Sequence, residues 1–304
     1  MPSSARLLCI GDLGMDLVIR VPQLPGRDQK VSGREVARGP GGMAANVAAA
    51  ASRLGSPCRL LATTGQDAMG QEALASLAAL GIDLAHVSQA PGWATFYCVV
   101  LLDPSGEKAL VRAVGETFLP SAEDLTPAAF EGVRHVHLIH PEASVLARAK
   151  TLADAVGATV SLDLEATDIP DDRAGLGALL NQVDVLFLGA ESRMALEARL
   201  GALPRRPDRL TVTTRGALGA QLEDAGGITQ VPGHCVDLRD TLGAGDAFAA
   251  AFLHAWLDGA DLERTLRFAN AAAALSTRGH GAQAGLPTES EVDAFMSGTE
   301  TCLA

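Results

Sequence analysis

Asp240-Thr241-Leu242-Gly243-Ala244-Gly245-Asp246 lies between a short β-rich run ending at Val236-Asp237-Leu238 and an alanine-rich apolar run that continues to Leu257. Two glycines ahead of such a run mark a turn feeding a helix N-terminus, with Thr241 or Asp240 available to cap it. The first amides of a helix have no partner within it, and the aligned peptide dipoles add partial positive charge there. Because Gly243 and Gly245 carry no side chain, an anion can come close to those amides. Asp246 then falls in the first turn, beside the anion. Transfer of a phosphoryl group to a hydroxyl needs this pairing: the amides take the developing charge, and the carboxylate orients the hydroxyl and accepts its proton. Taken alone, the same residues also describe an ordinary capped helix, so the rest of the chain has to decide.

The chain has 304 residues, 48% of them hydrophobic. That is enough for a large core, and a single α/β domain can reach this length. A net charge of −12 argues against nucleic acid or an anionic membrane as the main partner. It leaves room for a phosphorylated ligand held locally by amides and a metal. No glycine is followed by Lys-Ser or Lys-Thr, which excludes a P-loop. Cys9, Cys58, Cys98, Cys235 and Cys302 are scattered with no C-x-x-C spacing, so neither a zinc site nor a disulfide framework is expected. The N-terminus lacks a basic-then-apolar leader and no charge-free stretch is long enough to span a membrane. A cytosolic, soluble protein is the expectation.

Working back to the start, residues 7–10 form a buried strand that ends in Gly11-Asp12. Asp16 follows where the chain leaves the strand's carboxyl end, the usual ligand position in an open α/β sheet. Residues 17–38, with Pro22, Pro25, Gly26 and Gly33, read as hairpin material. Gly39-Pro40-Gly41-Gly42 opens a helix over 43–54, with Asn46 one turn in, and Asp67 opens another that runs to Leu80. Residues 96–102 pair with 109–111 across the turn Asp103-Pro104-Ser105-Gly106. Two β-rich segments inside an α/β chain predict one small sheet, a lid built from about 16–38 and 94–114. Strands at 136–139, 159–162, 183–188 and 210–213 then alternate with helices at 144–156 and 191–200, and helices at 262–277 and 289–296 follow the Gly-rich turn. Such alternation predicts an α/β fold with a mostly parallel sheet and helices on both faces, one domain over residues 1–304.

Several motifs now share one pattern. Gly41-Gly42-Met43-Ala44-Ala45-Asn46-Val47-Ala48 with Gly55, Gly11 with Asp16, Thr213-x-x-Gly216-x-x-Gly219, Asn270 among alanines, and Gly281-Ala282-Gln283 accompany the 240–246 stretch. Together they resemble the ribokinase-like carbohydrate kinases, the PfkB family, over almost the whole chain. The resemblance implies a three-layer sandwich with a β lid. It implies Asp246 as general base and an anion hole at Gly243, Ala244 and Gly245. Asp16, Gly42 and Asn46, with Glu142, would hold sugar hydroxyls, and Thr213, Gly216, Gly219 and Asn270 would lie along ATP. Mg²⁺ would bridge the phosphates and potassium would sit near Asp240 and Ala282. A homodimer through the lid is implied as well. Two departures stand out. Gly189-Ala190-Glu191-Ser192 occupies the place of the family's Asn-x-x-Glu, leaving the magnesium shell to Glu191, Glu165 or Asp163. Met43 stands where ribokinases carry lysine, and Asp163-Leu164-Glu165 is unlike their Asn-Pro run; both leave room for a subgroup similar to ketohexokinase or the sulfo-sugar kinases.

The expected activity is ATP-dependent phosphorylation of a primary hydroxyl on a sugar, a ketose or sulfo-sugar being one option. A nucleoside kinase would use Trp93, Phe96 and Tyr97 to cover a base, and a phosphosugar kinase would use Arg34, Arg38 or Arg112. An NAD-dependent dehydrogenase would need a third glycine where Phe248 stands. A sugar sensor without catalysis is the reading that the altered Asn-x-x-Glu run would favour.

Overall fold

A computed structural model describes residues 5–104, 108–115, 119–203 and 206–298. The first half runs β1 (Leu7–Asp12), β2 (Gly14–Arg20), β3 (Arg34–Gly41), α1 (Met43–Arg53), β4 (Cys58–Gly65), α2 (Ala68–Ala79), β5 (Asp83–Ala90), β6 (Tyr97–Leu102) and β7 (Lys108–Ala113). Next come α3 (Pro127–Phe130), β8 (His135–Leu138), α4 (Ala143–Val156), β9 (Thr159–Leu164), α5 (Arg173–Leu180), β10 (Val185–Gly189) and α6 (Ala190–Leu200). The chain closes with β11 (Leu210–Thr214), β12 (Ala220–Glu223), β13 (Ile228–Val231), α7 (Ala244–Leu257), α8 (Leu262–Ser276) and α9 (Glu289–Gly298).

The nine-stranded sheet has the order β13-β12-β11-β10-β9-β8-β1-β4-β5. It is parallel from β11 to β5, and β12 and β13 turn antiparallel at one edge. Alternate residues of β1 enter separate cores. Leu7 and Cys9 join the cluster that holds α1, α7 and α8, while Leu8 and Ile10 join the one that holds α4, α5 and α6. This is the three-layer arrangement, with strands apolar on both faces as a covered parallel sheet requires. Helix α7 is buried continuously from Asp246 to Ala255, because its alanines let α1 and α8 pack on it from either side.

The lid is a four-stranded sheet of order β3-β2-β6-β7. Strands β2 and β6 pair in parallel and join the two β-rich segments, while the outer pairs are antiparallel. Ser105 and Gly106 of the expected turn lie outside the described residues.

Two local expectations fail. Residues 236–238 are not a strand: the ladder ends at Val231, Pro232 has no N–H to extend it, and Leu238 is 60% exposed. Cys235 is disulfide-bonded, which the scattered cysteines did not announce, whereas Cys9, Cys58 and Cys98 are free thiols. No helix among the described residues is long and apolar enough to cross a membrane.

Candidate active site

The N-cap of α7 is Gly243, at φ 73°, with no side-chain cap. Neither Asp240 nor Thr241 caps the helix, contrary to the sequence reading. Asp240 is buried, and its two carboxylate oxygens accept from the amides of Leu242 and Gly281, each at 2.9 Å. Thr241 Oγ1 accepts from Lys108 Nζ of the lid at 2.8 Å. The first bond of the helical ladder is Ala247 N to Gly243 O, 2.9 Å, so the amides of Gly245 and Asp246 lie ahead of it. That is the geometry of an anion hole. The two glycines serve different ends. A Cβ at Gly243 would come within 2.8 Å of Ala282 Cβ in a left-handed backbone, whereas a Cβ at Gly245 would meet nothing within 4 Å. Gly243 is needed by the protein; the space beside Gly245 is left for something else.

Asp246 is only 6% exposed, and its Oδ2 accepts from Asn46 Nδ2 at 2.8 Å. Asn46 Oδ1 in turn accepts from Gln283 Nε2 at 3.0 Å. Burial pushes the Asp246 carboxyl well above the usual range, the Asn46 bond pulls it back, and Asp163, Asp12 and Glu165 push it up again. A carboxylate raised by burial holds its proton more tightly than an exposed one, and the Asn46 bond favours its charged form. The structure therefore places Asn46 against Asp246 itself. Asn46 Nδ2 carries a second hydrogen besides the one given to Asp246.

Asp246 opens onto a cleft of about 330 Å³ between the carboxyl ends of the central strands and the lid, lined also by Asp12, Asp16, Gly42, Asn46 and Arg112. Asp16 lies on β2 with its carboxyl raised by burial to about 7. A Cβ at Gly41 would meet Asp16 Oδ1 at 2.3 Å, and one at Gly42, whose φ is +96°, would meet Asp12 O at 2.7 Å. Gly41 therefore makes room for the Asp16 carboxylate, and Gly42 for the close approach of the Asp12 main chain. Asp12, which the sequence reading passed over, ends β1, accepts from Ala44 N at 3.1 Å and is raised by burial to about 6. Its position at the carboxyl end of a central strand was the available signal.

The other expected residues divide. Glu142 caps α4, accepting from the amides of Ser144 and Val145, and lines a separate small cavity beside Gly11. Glu191 is exposed in the first turn of α6 and is not part of the cleft lining, whereas Asp163 and Glu165 are. Burial and Glu165 raise Asp163 to about 7, and burial raises Glu165. Thr213 is buried within β11, one residue before its end, and Gly216 begins the short turn that Gly219 closes. A Cβ at Gly219 would strike Val231 O at 2.0 Å. Asn270 Nδ2 donates to Pro232 O at 2.7 Å, so it holds the segment against which that turn packs. Gly219 and Asn270 thus meet at the Val231-Pro232 segment. Among the described residues no three His, Cys, Asp or Glu side chains are grouped to hold a metal by themselves.

The chain matches the profile of the pfkB family carbohydrate kinases over residues 4–289. It is 34% identical over 297 residues to the ATP-dependent ribose-1-phosphate kinase of Halopiger xanaduensis, covering 96% of this chain and 98% of that protein. It is 30% identical over 304 residues to the ribokinase of Bacillus subtilis, covering 96% and 100%. The fold superimposes on a putative ribokinase II from E. coli solved in complex with ATP and Mg²⁺, with a TM-score of 0.81 at 23% identity over 96% of this chain and 99% of that one.

Proposed function

The chain belongs to the PfkB family of carbohydrate kinases, and from that premise we propose that it transfers the γ-phosphoryl group of ATP to a primary hydroxyl of a pentose-type sugar, with Asp246 as general base. One observation carries this reading: a buried carboxylate, oriented by Asn46, stands in the first turn of α7 beside amides that have no ladder partner. The acceptor hydroxyl, placed by Asp16 and the Gly42 backbone, gives its proton to Asp246 as its oxygen bonds to the γ-phosphorus. The bond from that phosphorus to the bridging oxygen of ADP breaks as the new one forms. The Gly243-Ala244-Gly245 turn brings the amides of Gly245 and Asp246 to the transferring group, the Ala244 amide being donated to Thr241 O.

ATP would lie along Thr213, Gly216, Gly219 and Asn270. Magnesium, when bound with it, neutralises phosphate charge, and Asp163 and Glu165 are better placed than Glu191 to order its waters. Potassium would sit where the 240–243 turn touches Ala282, a contact held by Asp240. We also propose a homodimer through the lid, where Val111 is exposed between the cleft-lining Leu110 and Arg112. The sequence-based option of a ketose or sulfo-sugar rested on Met43 and on the Asp163-Leu164-Glu165 run. The two relatives are named for ribose and ribose 1-phosphate, which puts pentoses first.

The test is ADP release from MgATP, with potassium present, against pentoses, hexoses, phosphosugars, sulfo-sugars and nucleosides. A strong sugar-dependent rate is expected. Sugar binding seen by calorimetry without ADP release from any acceptor would overturn the kinase reading in favour of a sensor.

A further inference from the structure

The lid brings one cation to the acceptor side of the cleft. Register places Asp16 of β2 opposite Cys98 of β6, and Cys98 opposite Arg112 of β7. Residues opposite one another in register share a face of a sheet, and all three line the cleft. Asp16 and Arg112 are therefore two strand spacings apart, about 9–10 Å between backbones. A small sugar bearing a substituent can bridge that gap, since the arginine side chain reaches inward from its own strand.

Five carboxylates, Asp12, Asp16, Asp163, Glu165 and Asp246, line the same cleft, and Arg112 is the one Lys or Arg among its described lining residues. Its charge is felt there, lowering the Asp12 and Glu165 carboxyls against the larger effect of burial. Yet the guanidinium makes no hydrogen bond or ion pair with any described residue. An arginine present only to balance these acids would gain by forking onto one of them. The other lid arginines are differently placed. Arg38 is forked onto Glu72 of α2, and Arg34 lies opposite Arg20 at the far end of the lid. A planar guanidinium with its donors free is complementary to a tetrahedral oxyanion. Neutral hydroxyls do not require one, and the neighbouring lining residue Met43 offers no rival charge.

Resting on the kinase reading above, we propose that the acceptor already carries an anionic group, a phosphate or a sulfonate, which Arg112 binds while Asp16 holds a ring hydroxyl and the primary hydroxyl reaches Asp246. Arg112 would then be the residue that selects an anionic acceptor over its neutral parent.

The experiment compares matched acceptors with the full-length protein, MgATP and potassium: ribose with ribose 1-phosphate, and fructose with fructose 6-phosphate and 6-deoxy-6-sulfofructose. At least one anionic member should exceed its neutral parent in kcat/KM by about tenfold to a hundredfold, the worth of a charge-assisted hydrogen bond. Which one responds separates phosphate from sulfonate. Arg112→Met, an exposed position on an edge strand, should collapse that ratio chiefly by raising KM for the anionic acceptor, and Arg112→Lys should restore part of it. Neutral parents turned over as well as or better than their anionic partners would overturn the inference and leave the kinase standing. An Arg112→Met variant that lowers both members of each pair alike would also overturn it, marking Arg112 as a counter-ion to the carboxylates. No turnover of any acceptor would sink the kinase reading and this inference together.

Discussion

Asp246 shows how three effects set one proton affinity. Burial and neighbouring carboxylates raise it, and the bond from Asn46 lowers it. The base works deprotonated, so removing Asn46 must move the acid limb of the kcat–pH profile toward higher pH. We expect that displacement in Asn46→Ala, together with a fall in kcat of about tenfold or more from the lost hydrogen bond to a charged group. A profile that keeps its position would show that Asn46 serves the sugar alone. Gln283 acts one step further back through Asn46. Gln283→Leu should lower kcat with little change in acceptor KM, and a loss seen only in KM would contradict that positioning role. At this scale the sequence was legible where short local motifs mark residues, as at Asp16, Gly42, Gly243, Gly245 and Asp246, which the structure brings to one cleft. The Asn46 to Asp246 bond spans 200 positions and the Gln283 to Asn46 bond 237, and no local pattern announces either pairing.

Helix α7 provides a contrast at the scale of the element. Gly243 has a left-handed backbone against Ala282, so Gly243→Ala should destabilise the protein by about 1–2 kcal/mol or more and lower activity with it. Gly245 is helical with empty space where a Cβ would go. Gly245→Ala should keep or raise the thermal midpoint, since alanine is the better helix former by about 1 kcal/mol, while weakening MgATP turnover by crowding the anion hole. Stability and activity moving in the same direction in Gly245→Ala would argue against an anion at that position. The long helices were readable because α1, α2, α7 and α8 combine an apolar period with glycines or an N-cap aspartate at their starts. Strands β5, β12 and β13 were not foreseen. They lie at or next to the sheet's edges; β5 and β13 are largely exposed or half-buried and β12 has only four residues, so none shows the apolar run of a central strand. The false strand at 236–238 is the converse error, a short β-prone run whose leucine faces solvent.

Across the whole molecule, the carboxylates gathered in the cleft bear on stability. Asp12 is raised to about 6 and Asp16 to about 7 from an ordinary 3.8, both through burial. Between about pH 4 and pH 7 the folded chain therefore holds protons that the unfolded chain has released, and stability falls as pH rises through that window. A carboxyl whose pKa stands one pH unit higher in the folded chain loses about 1.4 kcal/mol of stabilisation across it. Carboxylates held low by hydrogen bonds, such as Asp67 and Glu142, act in the opposite sense, but below this window. The ligand-free protein should melt at a higher temperature near pH 5 than near pH 8, and a reversed order in a calorimetric scan would contradict this account of the cleft. The layered architecture itself was legible from the strand–helix alternation, because each repeat must bury its apolar face on the shared sheet. The parallel β2·β6 pairing that assembles the lid was not, since strand partners far apart in sequence leave no local trace.

The central claim is that Asp246 accepts the acceptor's proton. Asp246→Ala tests it most directly, with ADP release and equilibrium binding of ATP and sugar measured on the same preparation. The account predicts a fall in kcat of about 10²–10⁴-fold or more, the usual contribution of a general base, with both ligands still bound at close to their normal affinity. Turnover near the normal rate in that variant would contradict it.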